Sequence, residues 1–182
     1  KTVETLPDGS QHIVYTNYIG QVLIKELKSG TDRWIEYRKY DADARLIEHA
    51  QPSAVSDYDD SAADLDVSLQ ASQGLIELTE YYSTSGSGAA EGYKKAEKIK
   101  QGSGGTPVLL REYEYASHSV GDRAIYPLSK RTEYRSDDGS GAIDTSYSYS
   151  FHSGTLQAQE RTTTLPAVPA AQNGSGASDT RR

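Results

Sequence analysis

Five aspartates crowd one short stretch, Asp57, Asp59, Asp60, Asp64 and Asp66. Hard carboxylate oxygens at near-alternate positions are the ligand type that Ca²⁺ takes, with Asp57, Asp59 and Asp60 the first candidates. Against the helix–loop–helix calcium template, however, Ala62 stands where the bend needs Gly and Ser68 where the bidentate Glu belongs. A solvated acidic loop is therefore the simpler reading. A second set of carboxylates, Glu77, Glu80, Glu112, Glu114 and Glu133, falls on strand-like segments. Two of them held at a fixed separation in a cleft could hydrolyse a glycosidic bond, but no spacing singles out a pair. Trp34, Tyr147 and Tyr149 are the third candidate, an aromatic platform on which sugar rings stack. The competing reading makes these rings the packing of the sheet itself, because the chain has 14 Tyr but one Phe and one Trp.

Other chemistries drop out. His12, His49, His118 and His152 are isolated and lack metal-ligand spacing. No Ser sits in a Gly-x-Ser-x-Gly elbow, and the Gly/Ser runs lack the Lys of a phosphate loop. With no Cys there is no disulfide framework and no thiolate chemistry. A net charge of −7 with scattered basic residues argues against a nucleic-acid partner. No apolar run approaches the ~20 residues of a helical membrane span. Lys1 at the first position and the absence of Met lead us to expect an internal segment of a longer chain.

The elements that must position these residues are strands. Pro7–Ser10 is a turn signal, and Gln11–Tyr18 and Val22–Leu27 on either side of Gly20 predict a hairpin. Trp34–Tyr40 and Arg45–Ala50 predict a second, joined through Asp41–Ala44 and ended by Pro52. Residues 53–73 read as an exposed acidic loop with room for a helical turn. Strand character returns at Leu75–Tyr82 and, after a Gly/Ser insertion, at Tyr93–Lys100. It returns again at Pro107–Tyr115, Ile125–Tyr134, Thr145–Phe151 and Thr155–Leu165. Thr145–Phe151 alternates strictly, with Tyr147, Tyr149 and Phe151 on one face and serines on the other. Residues 166–182 are rich in Ala, Ser, Gly and Pro and read as a flexible tail or linker.

Tyr40, Tyr82, Tyr115 and Tyr149 recur at intervals of 42, 33 and 34 residues. The segments between them are too short and too β-branched for a helical solenoid. Repeating hairpins, with units near 10–30, 34–52, 75–102, 107–135 and 143–165, account for the pattern. Tyr37–Leu46, with its Tyr-x-x-Tyr-Asp-x-x-x-Arg-Leu pattern, resembles the tyrosine-aspartate (YD) repeat of the RHS family, with Ala44 at the position of the family's Gly. Leu110–Tyr115 and Ser146–Phe151 resemble its first strand, and Gly154–Leu156 its turn and return.

The fold expected is all-β: antiparallel hairpin repeats forming a twisted sheet strip over 1–165, with long polar loops. Tyr40, Asp41, Arg45, Leu46 and Gly154 are the repeat-turn residues. The resemblance implies a non-catalytic structural module of a large secreted or cell-surface protein. Its partners would be flanking repeats of the same chain, an enclosed toxin domain or surface glycans, with no nucleic acid and no membrane span. No cofactor is expected beyond the calcium considered above. The alternatives are an adhesive or carbohydrate-binding β module and, third, a β-sheet glycoside hydrolase.

Overall fold

The computed structural model describes residues 1–182. Sixteen strands form along the chain: β1 (Thr2–Thr5), β2 (Gln11–Thr16), β3 (Val22–Ser29), β4 (Asp32–Tyr40), β5 (Leu46–Ala50), β6 (Val55–Asp57), β7 (Ser68–Leu69) and β8 (Leu75–Tyr81), then β9 (Lys94–Gln101), β10 (Val108–Tyr115), β11 (His118–Val120), β12 (Arg123–Ile125), β13 (Leu128–Glu133), β14 (Ile143–Phe151), β15 (Ala158–Thr164) and β16 (Thr180–Arg181). Twelve of them make one open antiparallel sheet in the order β1-β2-β3-β4-β5-β8-β9-β10-β13-β14-β15-β16. Strands β6 with β7, and β11 with β12, form two-stranded ribbons in the longer connections. The chain divides into two compact units, Lys1–Thr79 with Lys98–Val108, and Glu80–Glu97 with Leu109–Arg182.

The first unit carries the hydrophobic core. Period-two alternation sends Ile13 and Tyr15 of β2, Ile24 of β3, Ile35 of β4, Ala50 of β5 and Ile76 of β8 to one face, where all are buried. Cross-strand register places Tyr15 opposite Ile24 and Ala50 opposite Ile76, so the apolar side chains meet across the ladder. The segment between β5 and β8 closes over this face. Ala54, Val55 and Leu65 are buried in it, with Tyr58, Val67 and Leu69 packed alongside. These residues were expected in an exposed acidic loop. The aspartates do face water, but the apolar residues spaced between them form the cover of the core, and the expected helical turn is the 3₁₀ turn Pro52–Ala54.

The second unit has no comparable apolar cluster; its fully buried apolar residues are Ala90 and Ala96. Tyrosines take their place. Tyr93 packs edge-on against Tyr115 at 5.0 Å and Tyr126 at 6.0 Å, and Tyr82 packs against Tyr115 at 6.3 Å. Ribbon β11–β12 sets His118 flat on Phe151, 3.6 Å between ring centres, and His118 Nε2 donates to the Thr155 carbonyl at 2.9 Å. Residues 166–182, read from composition as a linker, return to the sheet. The Leu165 N–H donates to the Asp179 carbonyl, and Thr163 and Thr164 pair with Arg181 and Thr180.

Candidate functional site

The residues that carry the most interactions fall into three groups: two carboxylate hubs and a recurring hairpin end. Glu26 is the first hub. It follows Ile24 by two positions on β3 and so shares the core-facing side, where its side chain is 1% exposed. A carboxylate there requires partners. Arg33 Nε donates to Glu26 Oε1 at 2.5 Å, and the Tyr58 hydroxyl donates to Oε2 at 2.5 Å. The Arg33 guanidinium lies 5.1 Å from the Tyr58 ring centre and donates through Nη1 to Asp57 Oδ1 at 2.6 Å. Tyr15 meets Tyr58 edge-on at 5.3 Å and donates to Asp60 Oδ2, which also accepts from Lys1 Nζ at 2.7 Å. A cleft of about 350 Å³ opens beside this network.

Each shifted group in the network moves away from neutral pH. Burial by itself would raise the Glu26 carboxyl, but the hydrogen bonds from Arg33 and Tyr58 outweigh it and hold the carboxyl below its ordinary value. The Tyr58 main-chain N–H and then Arg33 lower Asp57, and Lys1 lowers Asp60. Burial and Glu26 raise the Tyr58 phenol, and Glu26 raises Arg33. Mutually neutralised groups with no proton exchanging near pH 7 suit a fastener better than general acid–base catalysis.

Glu97 of β9 builds the second hub, in the second unit. It accepts from Lys94 Nζ at 2.5 Å, from Arg111 Nη1 at 3.1 Å and from the Tyr113 hydroxyl at 3.0 Å. Arg111 reaches on through Nε to Glu133, its cross-strand neighbour. Burial and the Glu97 hydrogen bond push the Tyr113 phenol up to about 12. Carboxylate, arginine and tyrosine thus recur in both units.

The hairpin ends repeat as well. The N–H of Leu6, Asn17 and Asp41 donates to the carbonyl of Ser10, Gln21 and Arg45, respectively, and the N–H of Gly9, Gly20 and Ala44 donates back. In each case the residue two positions before the return strand is left-handed, with φ +84° at Gly9, +86° at Gly20 and +63° at Ala44. Asp41 Oδ1 accepts from the N–H of Asp43 and Arg45, and Asn17 Oδ1 accepts likewise from Ile19 and Gln21. Arg45 Nε also bonds Asp41 Oδ2 at 2.7 Å, and Leu46 pairs with Tyr40 across the bulge. Gln21 Nε2 donates to the Ala44 carbonyl and so ties one turn to the next. The turn from His152 to Gln157 is one residue longer, and Gly154 is left-handed in it.

Ala44 carries a conformational cost that glycine does not, because its Cβ crowds the backbone at positive φ. Ala44→Gly is expected to stabilise the chain by about 0.5–1 kcal/mol, after allowing for the greater freedom of glycine when unfolded. The check is a urea-unfolding midpoint that rises with an unchanged slope; a fall in the midpoint contradicts it.

The tyrosines that set the repeat spacing share a role. The hydroxyl of Tyr40 donates to the Val22 carbonyl, Tyr82 to Tyr113, Tyr115 to Lys94 and Tyr149 to Leu128, at 2.8–3.1 Å. The strand register slips at Lys39/Tyr40, at Glu114/Tyr115 and one pair beyond Tyr149 at Ser150/Phe151, the same end of each hairpin.

The other sequence candidates have the following surroundings. Asp57, Asp59 and Asp60 do not converge: Asp57 faces Arg33, Asp60 faces Lys1 and Tyr15, and Asp59 accepts from the N–H and hydroxyl of Ser61. No three His, Asp or Glu side chains come together in a metal-binding group. Among the strand carboxylates, Glu77 meets His49, Glu112 meets Tyr134, Glu114 meets Lys130 and Glu133 meets Arg111; Glu80 is engaged too. Trp34 is 46% exposed on β4, on the face opposite the core and across from Leu27. Tyr147 and Tyr149 lie on β14, with five strands between it and β4 in the sheet order, and the Arg161 guanidinium is 5.9 Å from the Tyr147 ring centre. No helix is long and apolar enough to cross a membrane.

Glu26 was not among the residues singled out from sequence. Its signal was present, since it occupies the inward phase of a strand whose other buried residue is Ile24. No family model matches the chain, and comparison with curated proteins and with solved structures finds no match.

Proposed function

We propose that the chain is a non-catalytic scaffold module, a run of hairpin rungs of the RHS/YD kind belonging to a large secreted or cell-surface protein that encloses or presents another domain. The observation that carries this reading is the recurring rung end. The tyrosine before the turn bonds a neighbouring carbonyl in four of the five units, and three turns share one hydrogen-bond pattern. The carboxylates capable of chemistry support it in a second way, because they are occupied by Arg, Lys, Tyr or His partners inside the sheet. Catalysis, where it occurs in such a protein, then belongs to another segment. The test is the gene sequence on both sides of residues 1–182: further tyrosine-rich hairpins at a spacing of about 30–45 residues are expected. A gene with none overturns the reading.

A further inference from the structure

A concavity of the first unit, about 750 Å³, lies between residues 71–75 and residues 99–108, and no member of the Glu26 network lines it. Its walls are interlocked backbone. The Gly102 N–H donates to the Gly74 carbonyl at 2.8 Å, Ser103 to Gln70 at 2.9 Å and Gly104 to Ala71 at 2.9 Å. A Cβ on Gly102 would fall 2.6 Å from the Ala71 carbonyl oxygen, and one on Gly104 3.1 Å from the same atom, so the two segments pack as closely as a backbone permits. A groove walled this way is formed before any ligand arrives, and its volume is that of a small-molecule site.

The lining is apolar with one charge. Leu75, 40% exposed, together with Ile99 and Val108 offers an apolar bed, and Ser72 and Thr106 add hydroxyls. Lys100 is the one charged residue on the lining. Its Nζ meets the Ser103 carbonyl at 3.3 Å, which leaves two of its three donors unused. A cation without a carboxylate beside exposed leucine complements an apolar body bearing one negative charge. We propose that this groove binds a small organic anion with an apolar body, an aryl or branched-alkyl carboxylate or sulfonate. The apolar part rests on Leu75, Ile99 and Val108, and the acid group meets Lys100.

The test is a fluorescence titration of the whole 182-residue chain with 1-anilinonaphthalene-8-sulfonate, beside the uncharged N-phenyl-1-naphthylamine. A saturable rise with one site is expected. Lys100→Gln weakens the sulfonate by about tenfold and leaves the uncharged dye unchanged, whereas Leu75→Asp abolishes both. Both side chains are partly exposed, so circular dichroism should show the fold retained; Lys100→Gln, the milder change, decides if Leu75→Asp fails to fold. Absence of a saturable rise, or equal sulfonate affinity in the wild-type chain and Lys100→Gln, overturns the proposal.

Discussion

Ile24→Ala should destabilise the chain by about 3–4 kcal/mol, enough to lower the melting temperature by ~10 °C. Ile24 is fully buried on β3, between Tyr15 on β2 and Tyr37 on β4, in the one apolar cluster of the molecule. Truncation removes three carbons from a site whose neighbours are held by strand pairing on both sides. The cavity therefore cannot collapse freely, and its cost adds to the lost transfer energy. Urea unfolding of the variant measures the effect, with amide exchange in β2–β4 rising in parallel. A loss below about 1 kcal/mol would mean that the cluster does not anchor the first unit.

Glu26→Ala is expected to cost about 3 kcal/mol, the lower end of the range for breaking a buried ion pair, because Arg33 is one-third exposed and regains some hydration. The pH dependence follows from the downward shift. A carboxyl that titrates lower in the folded than in the unfolded chain contributes its full stability above the unfolded value, about 4.3. That contribution is lost as the pH falls through the folded value. Glu97 is shifted in the same direction, with burial opposing and the Lys94, Arg111 and Tyr113 hydrogen bonds prevailing. Stability should thus be level from pH 7 to about pH 5 and decline below it, and Glu26→Gln should make that acid decline shallower. An acid limb as steep in Glu26→Gln as in the wild-type chain contradicts the assignment.

Strand positions were largely legible because alternation and turn residues are local. Tyr147, Tyr149 and Phe151 against three serines mark β14, and Asp41–Ala44 marks a turn whose capping by Asp41 follows from the residue type. The cover of the core was not legible. Between β5 and β8 the apolar residues Val55, Tyr58, Leu65 and Leu69 follow no single period, since the segment changes from 3₁₀ turn to short strand to loop, with Leu65 at a left-handed φ of +65°. Asp57 and Asp60 were visible as acidic residues, but their partners are 24, 45 and 59 positions away, which no local pattern reports. Strand β1 was missed for a related reason: four residues, all exposed, carry no hydrophobic phase.

That exposed strand is where the scaffold account is most open to contradiction. β1 ends the sheet order, and its outer edge is where a preceding rung would pair. The most direct measurement is hydrogen exchange at Thr2–Thr5 in the 182-residue chain, compared with the same chain carrying a second copy of residues 11–31 ahead of Lys1. If the module is built to continue rung upon rung, the added hairpin pairs with β1 and slows exchange of its outward amides by at least about tenfold. Unchanged exchange at Thr2–Thr5, with the added hairpin itself unprotected, would contradict a sheet made to be extended.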